Sequence, residues 1–224
     1  MKNSKNILDE TPFQTAGPFL HIGCMPNKIK INNLYKNDLG EVPFKNKNEI
    51  EMIIVEGSVF DGNGIALDDV MLETWQCDEN GQFFEDNGFA RFIPDKLTKQ
   101  FKLFTVKPGQ VQNLNGKNQS PHICLSISSR GLNMTLNTRI YFEGDDLIND
   151  PILSMVKNNK GNIDSLVAKK IKNNVYVFDV FYVCSCTAHR LWRQQQNDRK
   201  ERRSDDGCVD TNRAKHGFSD LRAR

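Results

Sequence analysis

The segment Ile53–Phe84, IIVEGSVFDGNGIALDDVMLETWQCDENGQFF, decides the fold class. Ile53, Ile54, Val55, Val59 and Phe60 are β-branched or aromatic, the types that suit a pleated, half-buried surface. Asp61-Gly62-Asn63-Gly64 follows, residues that tolerate positive φ, so the chain turns there as a hairpin or a corner. Val70 to Gln76 forms a second strand, with Leu72 and Thr74 on one face and Met71, Glu73 and Trp75 on the other. Asp78-Glu79-Asn80-Gly81 then turns the chain again. Two strands closed by Gly-rich turns do not stand alone in water, so the rest of the chain must cover them.

Downstream, Asn87 to Thr98 reads as a polar loop, and Phe101 to Val106 as a strand stopped by Lys107-Pro108-Gly109. Val111 to Ser120 is a loop rich in Asn. His122 to Ser129 alternates cleanly, with Ile123, Leu125 and Ile127 against His122, Cys124, Ser126 and Ser128. Thr135 to Phe142 gives a further strand, and Asp150 to Val156 a short helix with Asp150 and Pro151 at its start. Leu166 to Ile171 and Val175 to Val180 pair across Lys172-Asn173-Asn174 as a last hairpin. Short strands with turn chemistry between them and one short helix predict an all-β, antiparallel sandwich over residues 51–180. Upstream, residues 1–50 hold Pro12, Pro18, Pro26 and Pro43 and show no period, which predicts an irregular arm. Its Thr11 to Cys24 stretch is apolar for a solvated tail. It either lies across a surface of this subunit or of a partner, or packs on its own sandwich, and composition favours neither.

With 224 residues, one β domain with extensions is the simplest organisation. The net charge of +2 is unevenly spread: residues 181–224 carry ten Lys/Arg against six Asp/Glu, and residues 1–180 twenty against twenty-two. The main body therefore has no electrostatic footprint for nucleic acid. No run approaches a membrane span and the first residues lack an apolar secretory core, so a cytoplasmic location with reduced thiols is expected for the six cysteines.

Several motifs lie in a specific order. Thr11-Pro12, Gln14-Thr15-Ala16-Gly17-Pro18-Phe19 and His21-Ile22-Gly23 come first. Gly57 with Asp61-Gly62-Asn63-Gly64, Leu72-Glu73, Trp75-Gln76, Gly88-Phe89 with Arg91, and Thr105 with Lys107-Pro108-Gly109 follow. Pro121-His122-Ile123, Arg130-Gly131-Leu132, Thr138-Arg139 with Tyr141-Phe142, and Phe178-Asp179 complete the series. In this the chain resembles the intradiol ring-cleaving dioxygenases, and within them the alpha subunits of the protocatechuate 3,4-dioxygenases, over about residues 7–180. Phe19 stands where the aromatic is usually Tyr. The resemblance implies a prealbumin-like β-sandwich and a two-chain enzyme of the beta-ketoadipate route. Such an enzyme inserts both atoms of O2 into 3,4-dihydroxybenzoate, cleaving between the hydroxyls to give 3-carboxy-cis,cis-muconate.

Catalytic chains of that family hold ferric iron with two tyrosinates and two histidines, the latter as His-Ile-His. Alternate residues of a strand share a face, which lets two imidazoles reach one ion. Here the triplet is His122-Ile123-Cys124, and no tyrosine lies between Tyr35 and Tyr141. His122 and Cys124 are thus vestigial ligand positions, and no catalytic residue is expected in this chain. The resemblance implies that Fe(III) is held by a protocatechuate 3,4-dioxygenase beta subunit as partner. Thr15, Gly17, Pro18, Phe19 and Arg130 would line the mouth of that partner's site. Arg130 suits a substrate carboxylate, and the alternative for it is an ordinary ion pair.

From Phe181 the apolar period fails, and the segment to Arg224 is charged and polar. A shift of reading frame near residue 181 accounts for this, as does a disordered tail. A zinc element from Cys184, Cys186, His189 and Cys208, or an RNA-binding arm around Arg199-Lys200-Glu201-Arg202-Arg203, matches no established spacing. The competing functional class is a free-standing β-sandwich that binds a small aromatic or a protein without chemistry.

Overall fold

A computed structural model describes residues 16–17, 19–45, 52–112, 115–132 and 134–182. Thr15, Pro18 and the tail readings from residue 183 lie outside the described residues. The strands are β1 (Met52–Phe60), β2 (Val70–Trp75), β3 (Phe89–Phe92), β4 (Gln100–Val106), β5 (Val111–Gln112), β6 (Asn118–Gln119), β7 (His122–Ser129), β8 (Leu136–Phe142), β9 (Val167–Lys172), β10 (Val175–Val177) and β11 (Val180–Phe181). Two helices, α1 (Leu20–Cys24) and α2 (Pro151–Asn158), accompany them.

β1 and β2 do not form a hairpin. Asp61 accepts hydrogen bonds from the amides of Asn63 (2.8 Å) and Ile65 (3.0 Å), and Gly64 takes φ +74°. This Asx-type turn makes a corner that carries the chain from one layer to the other. β1 pairs with β4 on one edge and with β10 and β11 on the other, whereas β2 lies between β3 and β7. β8 continues the second layer, β9 pairs with both β8 and β10, and nine strands form one sheet folded on itself. Ile53, Val55, Val59, Phe101 and Leu103 of one layer share a core with Leu72, Ile123, Leu125, Ile127 and Phe142 of the other. The alternation read in β7 is the alternation observed, since Ile123, Leu125 and Ile127 all point into that core.

The all-antiparallel expectation needs correction. β1 runs parallel to β10 and β11, and β8 parallel to β9, through Tyr141↔Val167 and Phe142↔Ala168. Parallel neighbours need a long connection, and the chain between β8 and β9, which contains α2, supplies one. The segment 87–98, expected as a loop, contains β3, and the Asn-rich 111–120 segment contains the β5–β6 pair. The arm contains α1 and a 3₁₀ turn at Pro26–Ile29, whose Met25 cap residue is fully buried. The end of the arm, at residues 40–43, packs on the body. Gly88 donates to the Pro43 carbonyl (2.7 Å) and Arg91 to the Gly40 carbonyl (3.0 Å), so residues 40–43 cover the edge of β3.

The motif residues have structural reasons here. Thr105 Oγ1 donates to Gln76 Oε1 (2.8 Å), and Gln76 Nε2 donates to the Val106 carbonyl (2.9 Å), a buried polar link between the end of β2 and β4. Arg91 pairs with Glu73 across β2 and β3, at 2.7 and 2.9 Å. Phe181 and Tyr182, at the start of the atypical tail, are ordered against the sandwich. Phe181 stacks on Phe60, and Tyr182 donates to Ser129 Oγ at 3.0 Å.

Candidate functional site

The register of β7 and β8 sets up the face on which the vestigial ligand positions lie. His122 pairs with Tyr141, Cys124 with Arg139, and Ser126 with Asn137. α2 is held beside this face by Asp150, which caps it. Asp150 Oδ1 accepts from the amides of Ile152 (2.8 Å) and Leu153 (2.9 Å), and Oδ2 accepts from Ser120 N (2.8 Å). The Tyr141 hydroxyl donates to Asp150 Oδ1 (3.4 Å) and accepts from Arg139 Nη1 (3.3 Å), which also donates to Gln119 Oε1 (2.8 Å). Between this face and α2 with the 161–166 segment lies a cavity of about 660 Å³. Cys124, Ser126 and Arg139 line one side, and Ile152, Val156 and Leu166 the other.

The two vestigial positions share a face of β7 but differ in surroundings. Cys124 lines the cavity, whereas His122 is buried and its Nδ1 donates to the Ser120 carbonyl at 2.8 Å. Burial holds the imidazole below its ordinary value of 6.5. The unfolded chain therefore binds this proton first, and His122 favours folding fully above about pH 6.5, less as pH falls below it. Urea denaturation between pH 5 and 7.5 should show a stability loss on acidification that is smaller in His122→Gln.

Tyr141 is the phenol nearest the vestigial pair. Burial pushes it up to about 12, so it remains protonated near neutral pH. Among the described residues no group of three or more His, Cys, Asp and Glu side chains is placed to hold a metal ion. A soft thiol and an imidazole turned onto a backbone carbonyl do not fit a ferric ion that prefers phenolates.

The proposed lining residues lie elsewhere. Arg130 follows β7, roughly 25 Å along the strand from His122. Its Nε lies 2.5 Å from Asp69 Oδ2, the ion pair that was the alternative reading of this arginine. Both Asp69 carboxylate oxygens are buried without an aligned donor, so their compensation is the charge of Arg130. Asp69 borders a second cleft together with His21 and Ile22 of α1, which brings the arm and the Arg130 pair to one end of the molecule. Phe19, at the cap of α1, is 72% exposed, and Gly17 has open space where a Cβ would stand. Among the described residues nothing stands within 4 Å of a Cβ at position 17, and Phe19 is mostly uncovered. Sequence reasoning missed the Arg139, Tyr141 and Asp150 network. Its signal was present, as Arg139 and Tyr141 share a face of β8 and Asp150-Pro151 opens a helix.

The vestigial positions thus lie on one strand of a β-sandwich with a helix packed beside that face. The chain belongs to the intradiol ring-cleaving dioxygenase family: a family model described as Dioxygenase matches residues 31–182. It is similar to the protocatechuate 3,4-dioxygenase alpha chain of Pseudomonas putida, at 34% identity over 186 residues, covering 78% of this chain and 92% of that one. The alpha chain of the Burkholderia cepacia enzyme is 31% identical, covering 77% and 92%. Among solved structures, catechol 1,2-dioxygenase from Pseudomonas arvilla C-1 superposes with a TM-score of 0.51 at 19% identity, covering 66% of this chain and 57% of that one, a likeness of fold. Members of the family are non-haem iron oxidoreductases. Among the described residues no helix is long and apolar enough to cross a membrane.

Proposed function

We propose that this chain is the non-catalytic alpha subunit of a cytoplasmic protocatechuate 3,4-dioxygenase, and that its beta partner holds Fe(III). The observation that carries this reading is the His122-Ile123-Cys124 triplet, with no tyrosine between Tyr35 and Tyr141, in a chain so similar to named alpha chains. In the assembled protomer the arm residues Thr15, Gly17, Pro18 and Phe19, with Arg130, would border the partner's site. The openness around Gly17 and the exposure of Phe19 leave both accessible to a second chain. Residues 51–180 are the dioxygenase-type body in this reading, 1–50 the contacting arm and 181–224 an atypical tail. The test is iron content and O2 uptake with protocatechuate for the chain alone and co-expressed with a beta partner carrying the His-x-His pair. The expected result is colour, iron and ring cleavage in the complex alone. Stoichiometric Fe(III) and catechol cleavage by the isolated chain would overturn it.

Arg130 gives a sharper test. In the complex, Arg130→Ala is expected to raise KM for protocatechuate roughly five- to tenfold with kcat changed by less than about twofold, the pattern of lost substrate binding. The same substitution strands the buried Asp69 carboxylate, so melting of the complex is measured alongside. An unchanged KM removes Arg130 from the site.

A further inference from the structure

The sequence contains four Asn-Gly pairs, Asn63-Gly64, Asn80-Gly81, Asn87-Gly88 and Asn115-Gly116. Glycine has no Cβ, so its backbone nitrogen can approach the side chain of a preceding asparagine closely, which makes such pairs labile. The Gly nitrogen attacks the Asn Cγ, the new N–Cγ bond closes a succinimide, and the Cγ–Nδ2 bond breaks. The side-chain amide leaves as ammonia with the proton that the Gly nitrogen gives up. Water then opens the ring at either carbonyl, giving aspartate or isoaspartate, and no oxidant or reductant is needed.

All four glycines have positive φ, +74°, +78°, +93° and +71° in chain order, so backbone conformation does not separate them. The partner of the glycine amide does. Gly64 N donates to the Asp61 carbonyl (2.9 Å), Gly81 N to the Asp78 carbonyl (3.1 Å) and Gly88 N to the Pro43 carbonyl (2.7 Å). Among the described residues the Gly116 amide has no such acceptor. A donated hydrogen bond retains the proton that must be lost and keeps the nitrogen turned to its acceptor. Packing adds a second restraint at two of the pairs. A Cβ on Gly81 would stand 2.1 Å from the Gln110 carbonyl oxygen, and one on Gly88 2.2 Å from that of Gln76, so neither segment has room to rearrange. Around Gly116 nothing lies within 4 Å of such a Cβ, and Asn115, Gly116 and Lys117 are all exposed. We propose that Asn115 is a site of spontaneous deamidation, with the Gly116 amide as nucleophile, and that hydrogen bonding by the glycine amide protects the other three pairs. The product carries a new carboxylate two residues from Lys117, and isoaspartate adds one carbon to the main chain between β5 and β6. Both changes fall on the hairpin whose Gln119 accepts from Arg139.

Full-length chain is incubated in mildly alkaline buffer, folded or in urea, and the four Asn-Gly peptides are followed by mass mapping. In the folded chain Asn115 is expected to convert at least about fivefold faster than Asn63, whose glycine is held by one hydrogen bond. It should convert at least about tenfold faster than Asn80 and Asn87, whose glycines are packed as well. In urea the four rates should come within about threefold of one another, because the restraints belong to the fold. An isoaspartate-specific carboxyl methyltransferase with S-adenosylmethionine should label the Asn115 product, since direct hydrolysis of the side chain yields aspartate alone. Gly116→Ala is expected to slow conversion at least about tenfold by crowding the nucleophile, and Asn115→Gln to abolish the label. A smaller lead for Asn115, the same ranking in urea, or an unlabelled product would overturn the proposal. Neither iron nor a partner chain enters this readout, so its outcome is independent of the subunit assignment.

Discussion

Gly57→Ala is expected to lower the stability of the chain by about 3–5 kcal/mol, the range of the most damaging core substitutions. A Cβ at position 57 would stand 1.9 Å from the Phe178 carbonyl oxygen and 2.6 Å from its carbon, both backbone atoms that no rotamer change can move. Residue 178 lies between β10 and β11, where the ladder to β1 is held by an unusual set of bonds. Phe178 N donates to the Glu56 carbonyl (2.9 Å), and Ser58 N donates to the Asp179 side chain at 2.8 Å in place of a backbone acceptor. Relief of the clash requires the β10–β11 segment to swing away from β1, which breaks both bonds and uncovers Val55 and Val59. Gly64→Ala provides the contrast. Its surroundings are empty but its φ is +74°, so it incurs only the left-handed penalty, about 1–2 kcal/mol. Chemical denaturation of the three proteins checks the order; a Gly57 variant no worse than the Gly64 variant would show that the close approach is not maintained in solution.

Gly57 also shows what sequence could and could not disclose. The pairing of that glycine with a distant Phe178-Asp179 was visible as a motif, while its cause, two strands 121 residues apart meeting in parallel, was not. Local signals carried the reading well where the structure is local. The β7 alternation, the Asp150-Pro151 helix start and the hairpin from β9 to β10 depend on residues close in sequence. The parallel pairings depend on crossovers, which turn chemistry does not encode, so the sandwich was expected as wholly antiparallel. β3 escaped notice because it is four residues long and its neighbours are polar. α1 escaped because its apolar residues mark a buried contact rather than a helical period. At the site, Cys124 in place of the second histidine of a His-x-His pair was legible from a single position in the sequence. The cavity was not, because it forms only when α2 folds back over a face contributed by β7 and β8.

That fold-back rests on one carboxylate, and Asp150→Ala is expected to cost about 2–4 kcal/mol. The side chain is 1% exposed, caps α2 through two amides, holds Ser120 N and accepts from Tyr141. Loss of an N-cap alone is worth about 1 kcal/mol, and stranding a buried amide and a buried phenol adds about 1–3 kcal/mol. The sum corresponds to a melting shift of about 10 °C for a body of this size. Asp150→Asn keeps one acceptor oxygen for the cap but cannot serve both oxygens' partners, so it should lie between the parent and the alanine variant. Ser154→Ala is a fair comparison, since that hydroxyl donates to the Asp150 carbonyl (2.9 Å) within the helix's own first turn and its loss leaves the cap intact. Hydrogen exchange locates the effect: amides of Ile152 and Leu153 should lose protection in Asp150→Ala while those of Ile123 and Leu125 in β7 keep theirs. Uniform loss across β7 would mean that α2 and the sheet unfold as one unit, and that the helix is part of the core rather than a cover placed over a finished sandwich.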